Sequence, residues 1–186
     1  EFDLYHFGSA TAFMGGNLKD TYFKLKEYAK SNNKIISFDA NYRESLFGNN
    51  KEEFIKCCKE FIVDSNIVKL SEEEAKLISG IEDIKEASQY IVNLGCENLM
   101  VTLGKEGTLL SNREKQILIK TKEVKMKDAT GAGDAFIGAV IAQILNEPGK
   151  SMEKIVEMAN LVGGITTTKL GALESIPTWD EVFAYN

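Results

Sequence analysis

Apolar residues recur along this chain with two different periods, and the change of period predicts an alternation of strands and helices. Residues 2–8, "FDLYHFG", alternate, are rich in aromatics and stop at Gly8, so they predict a strand. Residues 17–33 place Leu18, Tyr22, Leu25 and Tyr28 at helical spacing, which predicts an amphipathic helix closed by Asn-rich punctuation. "KIISFDA" (34–40) predicts a short buried strand, and "NYRESLFGNN" (41–50) a loop with turn chemistry. A helix over 51–65 and a strand over 66–70 follow.

In "SEEEAKLISG", Ser71 precedes Glu74 by three residues, a capping-box pattern, and Gly80 supplies a C-terminal stop. Another helix is predicted over 84–95. "NLMVTLG" (98–104), "GTLLSN" (107–112) and "KQILIKT" (115–121) then predict strands joined by short turns. The last third reads as a helix running to about Leu145, a mostly helical stretch over 151–171, and a final helix start near Pro177 and Thr178. Strands alternating with helices predict an α/β fold: one domain over 1–186, with a mainly parallel sheet flanked by helices and a late β-hairpin. In such sheets ligands bind beyond the carboxyl ends of the strands.

Composition narrows the function classes. The 186 residues are enough for a sizeable core. A net charge of -6 argues against a nucleic-acid partner, which calls for a basic patch. No apolar run approaches the roughly 18 residues of a membrane helix, and no secretory signal pattern opens the chain. Cys57, Cys58 and Cys96 show no zinc-like spacing and read as bystander thiols of a cytoplasmic protein. The single histidine, His6, lies on the first predicted strand and reads as sheet support. The chain opens directly into a strand without an initiator Met, which suggests a portion of a longer protein.

The chemistry concentrates in "KDATGAGDAF" (127–136), where Gly131, Ala132 and Gly133 separate Asp128 from Asp134 at a predicted helix start. A helix N-terminus offers unpaired N–H groups and partial positive charge, and small residues let an anion approach them. Asp134 could accept a proton from a substrate hydroxyl beside that cradle, an arrangement suited to phosphoryl transfer. It could equally serve only as a first-turn helix acid. The stretch lacks the Lys and Ser/Thr of a P-loop and the spacing of a dinucleotide fingerprint.

"KDATGAGDAFIGA" resembles the C-terminal signature of the ribokinase-like (PfkB) carbohydrate kinases. Four companions agree in order. "SFDANYRESLF" resembles a segment typical of the family's fructokinase branch, and "VKLSEEEAKLISG" its acidic segment. "VTLGKEGTLL" resembles its nucleotide turn, and "ANLVGGITTTKLGALESIPT" its ending. Ala129 and Ala40 depart from the usual Thr and Pro. The resemblance implies ATP-dependent phosphorylation of a sugar, fructose first, with ribose, 2-keto-3-deoxygluconate, a nucleoside or a non-catalytic nucleotide-binding role as alternatives.

Carried over residue by residue, it makes Asp134 the base and Gly131, Ala132 and Gly133 the anion hole. Thr102, Gly104, Gly107 and Asn160 fall on the nucleotide side, with Lys69 and Ser71 nearby. Asp39, Asn41 and Arg43 fall on the substrate side. Glu74 would organise Mg2+ through water, and Asp128 and Ser175 a monovalent cation, usually K+. The family's N-terminal sugar motif and β-lid, through which its members commonly form homodimers, have no counterpart in this sequence.

Overall fold

The computed structural model describes residues 2–185. Strands β1 (Leu4–Gly8), β2 (Ile35–Asp39), β3 (Ile67–Ser71), β4 (Asn98–Thr102), β5 (Thr108–Ser111) and β6 (Gln116–Ile119) form a sheet whose spatial order follows chain order. The first three are parallel. Phe7 pairs with Phe38, and Asp39 with Lys69. The sheet is mixed, because the β5–β6 connection is a tight turn in which the Asn112 N–H donates to the Lys115 carbonyl at 3.0 Å. Between and after the strands lie α1 (Gly16–Ser31), α2 (Glu44–Phe47), α3 (Lys51–Ile62), α4 (Glu72–Ser79), α5 (Ile84–Asn93), α6 (Ala132–Asn146), α7 (Met152–Thr166) and α8 (Trp179–Ala184). The last residue of the predicted final segment, Asn186, is outside the described residues.

The chain divides into two compact units: Glu1–Val101 with Leu109–Ile117, and Thr102–Thr108 with Leu118–Asn186. In the first, β2, β3 and β4 are buried at nearly every position, as parallel strands covered on both faces require. Phe61 of α3 is the hub of its core. Its ring meets Phe7 at 5.0 Å, Phe38 at 5.1 Å and Phe13 at 5.5 Å. Side-chain caps start α4 and α5 of this unit. Ser71 and Glu74 form the expected capping box on α4, and the Asp83 carboxylate accepts the Lys85 and Glu86 N–H groups at 3.0 Å. Gly80 closes α4 in the left-handed conformation. Among the described residues, no helix is long and apolar enough to cross a membrane.

Two expectations differ from the structure. Residues 41–50 contain a helical turn, α2, and a 3-10 turn over Gly48–Asn50 rather than a plain loop. Arg43 enters the turn extended, its carbonyl accepts the Leu46 N–H at 2.9 Å, and Phe47 anchors the turn against Phe54 at 4.5 Å. In α1 only part of the predicted apolar stripe is packed: Tyr22 meets the Phe7 ring at 5.4 Å, whereas Leu18, Leu25 and Tyr28 are exposed and Lys26 and Ala29 are buried. The Lys26 ammonium donates to the Glu60 and Val63 carbonyls at 2.8 and 2.7 Å and lies over the Phe61 ring. It thereby satisfies orphan carbonyls at the end of α3. A charged residue wins the inward position because it has acceptors there. Burial lowers its pKa.

The second unit is built on α6 and α7. Gly163 of α7 comes so near the start of α6 that an added Cβ would stand 3.2 Å from the Ala132 carbonyl oxygen. A capping box of Thr178 and Glu181 starts α8. The three cysteines, all in the first unit, are free and buried. Desolvation pushes the Cys96 thiol up to about 12, which leaves it unreactive as a nucleophile. His6 shares a hydrogen bond of 3.0 Å between Nδ1 and the hydroxyl of Ser37, its partner in the β1–β2 ladder.

Candidate functional site

In the second unit, the chain enters α6 through Gly131, which holds a left-handed φ of +79° as the N-cap. A Cβ there would come within 3.1 Å of the Ala172 Cβ, so both backbone angle and space call for glycine. Because a glycine cap has no side chain, no side-chain hydrogen bond closes this helix start. The Ala132 N–H donates to the Ala129 carbonyl at 3.2 Å and belongs to the entering turn. The next N–H groups of the first turn have no intrahelical acceptor. Asp134 is the third residue of α6 and is exposed, with its carboxylate near the positive end of the helix. The motif therefore presents free donors and a solvent-facing carboxylate within one helical turn.

Asp128 is tied into the same unit from both oxygens. Oδ1 accepts the Thr130 N–H at 2.9 Å and the Thr130 hydroxyl at 2.6 Å, while Oδ2 accepts the Gly171 N–H at 3.0 Å. The Thr130 hydroxyl, then the Thr130 and Gly171 N–H groups, hold its carboxyl below the ordinary value. Ser175 is fully buried, and its hydroxyl donates to the Leu170 carbonyl at 3.1 Å and to the Gly171 carbonyl. Asp128 and Ser175, 47 residues apart in sequence, thus converge on Gly171, one through its N–H and the other through its carbonyl. The donors gathered here are all hard oxygens, which fits a monovalent or alkaline-earth cation and not a soft metal.

The nucleotide-side residues separate into two kinds. Thr102 ends β4, and Gly104 (φ +56°) and Gly107 (φ +102°) shape the turn that follows. The Leu103 N–H donates to the Gly107 carbonyl at 2.8 Å, and the Gly107 N–H to the Gly104 carbonyl at 3.2 Å. A Cβ on Gly107 would overlap the Ile119 carbonyl oxygen, so this glycine is required by a crossing backbone as well as by its own angle. Asn160 is 7% exposed and its amide is engaged at both ends. Oδ1 accepts the Thr108 hydroxyl at 2.6 Å, and Nδ2 donates to the Ile119 carbonyl at 2.9 Å. Asn160, expected on the nucleotide side, thus has a side chain bonded at both ends within the fold.

In the first unit, the substrate-side and metal-side residues form a buried polar network. Asp39 ends β2 at 2% exposure and Lys69 sits opposite it on β3 at 8%. Lys69 Nζ lies 3.2 and 3.1 Å from the two Asp39 oxygens. Lys69, expected near the nucleotide, and Asp39, expected on the substrate side, face each other as a covered ion pair. The Asn41 N–H donates to Asp39 Oδ1 at 3.1 Å, which folds the loop back on the strand end with Asn41 at φ +42°. Asparagine tolerates that region better than most residues. Arg43 is exposed at the start of α2 and keeps its reach into solvent.

Glu74 joins this network to α4. One carboxylate oxygen accepts the Ser71 N–H and the other the Tyr42 N–H, each at 2.7 Å, and the Ser71 hydroxyl accepts the Glu74 N–H at 3.2 Å. Burial raises the Glu74 pKa, only partly offset by Lys69 and the two N–H donors. Each oxygen keeps a further lone pair, so the residue fits a water-mediated role toward Mg2+ and not a chelating one. Among the described residues, no group of three or more His, Cys, Asp or Glu side chains gathers into a metal cage. A shallow cleft of about 710 Å³ opens at the starts of β2, β3 and β4, at the opposite strand ends from Asp39 and Lys69. Two of its charged groups, Lys30 and Asp64, pair with each other at 2.7 Å.

Residues that the sequence reading passed over include Tyr42, Thr108, Ile119 and Ala172. Three of them act through the main chain or by bulk alone and leave no motif. Thr130 was detectable, because an Asp two residues before a hydroxyl and N–H donor is a recurrent turn pattern.

The glycine turn, its exposed acid and the surrounding matches coincide with a known family. The family model described as pfkB family carbohydrate kinase matches residues 1–179. The chain belongs to this family. Among curated relatives, Fructokinase-1 of Oryza sativa subsp. japonica is 32% identical over 188 residues, covering 96% of this chain and 57% of the relative. The fructokinase of Vibrio cholerae O395, solved in a form with fructose, ADP and calcium ion bound, superposes with a TM-score of 0.91 at 28% identity. That match covers 98% of this chain and 60% of the other. A sugar kinase of Pyrococcus horikoshii, solved in complex with ATP, reaches a TM-score of 0.83 at 33% identity, covering 100% and 58%. The chain thus spans somewhat over half the length of these three proteins, and its fold is that of the ribokinase-like kinases.

Proposed function

We propose that this chain carries the phosphoryl-transfer machinery of an ATP-dependent sugar kinase whose acceptor is fructose. One observation carries the reading: an exposed carboxylate, Asp134, in the first turn of a helix whose glycine cap leaves the N–H donors open, in a member of the pfkB family. The fructose assignment draws support from fructokinase relatives at about 30% identity and from "SFDANYRESLF".

In this reading Asp134 accepts the proton of the attacking sugar hydroxyl, and the open N–H groups at the start of α6 stabilise the charge on the transferring phosphoryl. The Thr102–Gly107 turn backs the nucleotide. Arg43 directs its planar fork at sugar or phosphate oxygens. Asp128 and Ser175 supply oxygen ligands for K+ beside the turn, and Glu74 orients water toward Mg2+. Magnesium, when bound with ATP, neutralises phosphate charge.

Coupled ADP release from the purified protein, with fructose, ribose, 2-keto-3-deoxygluconate and a nucleoside as acceptors, tests the proposal. The highest kcat/KM is expected with fructose. Strong activity on another acceptor with none on fructose would remove the sugar assignment and keep the kinase. ATP binding with turnover of no acceptor would reduce the chain to a nucleotide-binding module.

A further inference from the structure

Asn160 and Gly107 converge on a single atom, the main-chain carbonyl oxygen of Ile119. The Asn160 amide donates to it at 2.9 Å. Gly107 presses against it from the turn, and a Cβ there would also stand 2.9 Å from both Lys120 Cα and Thr121 N. The other end of the same amide accepts the hydroxyl of Thr108, the fully buried residue that follows Gly107. The Thr121 hydroxyl adds a longer bond, 3.4 Å, to the Asn160 main-chain carbonyl. An amide offers a donor and an acceptor at fixed separation, so one side chain can hold both neighbours at once.

Thr108 leaves the turn that begins at Leu103, and Ile119 lies on the strand crossing it. Their separation is therefore set by Asn160 from one side and by the missing side chain of Gly107 from the other. The turn itself is a backbone structure, closed by the Leu103 and Gly107 N–H groups. A shift of Thr108 would be passed directly to Gly107 and Gly104.

We propose that Asn160 is a positioning residue for the nucleotide turn: it touches no base and fixes Thr108 against Ile119, so that Gly104 to Gly107 keep one backbone shape. The inference rests on the kinase reading only for what the turn receives.

Calorimetry on the 186-residue chain with ADP and with GDP, well below the melting temperature, tests it in Thr108→Val, Asn160→Leu and the double variant. Each single substitution removes a buried hydrogen bond and is expected to weaken both nucleotides by the same factor, about tenfold. The double variant is expected to be no weaker than the worse single one. A changed ADP-to-GDP ratio in Asn160→Leu, with Thr108→Val unaffected, would overturn the proposal in favour of a base contact. Unaltered affinities in both would overturn it in favour of a packing role alone. If the unmodified chain binds neither nucleotide, the nucleotide reading fails, and amide exchange decides the clamp by itself. Leu103 and Gly107 should then exchange about tenfold faster in Thr108→Val, the factor expected for one lost buried bond, and equal rates would refute the clamp.

Discussion

Asp39 in the first unit and Asp134 in the second are both acids at the end of a regular element, and both come from segments that resemble the same family. Asp39 is covered, meets Lys69 at both oxygens and accepts the Asn41 N–H. Asp134 is exposed at a helix start whose cap has no side chain. The first carboxylate holds strands and a loop together. The second is left open toward solvent, which is what a proton acceptor needs. Two acids from matching motifs thus stand in opposite states of burial and hydrogen bonding.

The largest expected effect falls on the open acid. Asp134→Asn should lower kcat by about 10²- to 10⁴-fold, the usual contribution of a general base, while ATP affinity and melting temperature stay near their original values. Steady-state kinetics beside calorimetry would check this, and an unaltered kcat would erase the distinction. The buried acid should respond in the opposite currency. Lys69→Met removes the ammonium that faces both oxygens of the buried Asp39 carboxylate and should cost about 3–5 kcal/mol of stability, read from the denaturant midpoint. A loss below about 1 kcal/mol would mean that the pair behaves as an exposed one.

A smaller effect is expected at the cap between them in kind. Ser71→Ala removes one half of the α4 capping box and should cost about 1 kcal/mol by thermal or urea unfolding. The pH dependence gives the subtlest contrast. Burial raises the Glu74 pKa above its ordinary 4.5, so folding favours its protonated form, and its contribution to stability declines as pH rises through the window above 4.5. Hydrogen bonds lower the Asp128 pKa below its ordinary 3.8, so its contribution is present above 3.8 and is lost as pH falls below that value. Unfolding of Glu74→Gln and Asp128→Asn across pH should flatten these two slopes separately. A common slope for both variants would contradict the assigned causes.

Elements were legible where the signal is local. The capping box at Ser71 and Glu74, the stop at Gly80 and the Thr178 helix start depend on residues three or four apart, and each is present. The face of α1 was not legible, because Lys26 turns inward to reach carbonyls of α3, more than 30 residues away. The Asp39–Lys69 pair was hidden for the same reason: the two meet only through the register of neighbouring parallel strands. At the candidate site, the helix position of Asp134 and the small residues before it were readable from spacing. The cross-link made by Asn160 was not, since its partners lie 52 and 41 residues away.

The strand register that joins Asp39 to Lys69 also orders events in time. Neighbouring parallel strands cannot pair until the intervening segment, here α2 and α3, has wrapped across the sheet. Loop closure comes before the reward of such a distant contact, so the pair forms only once that crossover is complete. A contact made after the folding barrier restrains escape more than entry. If the pair closes after that barrier it is a latch on the native state, and Lys69→Met should quicken unfolding while the rate of folding stays nearly the same; slowed folding would place the pair before the barrier.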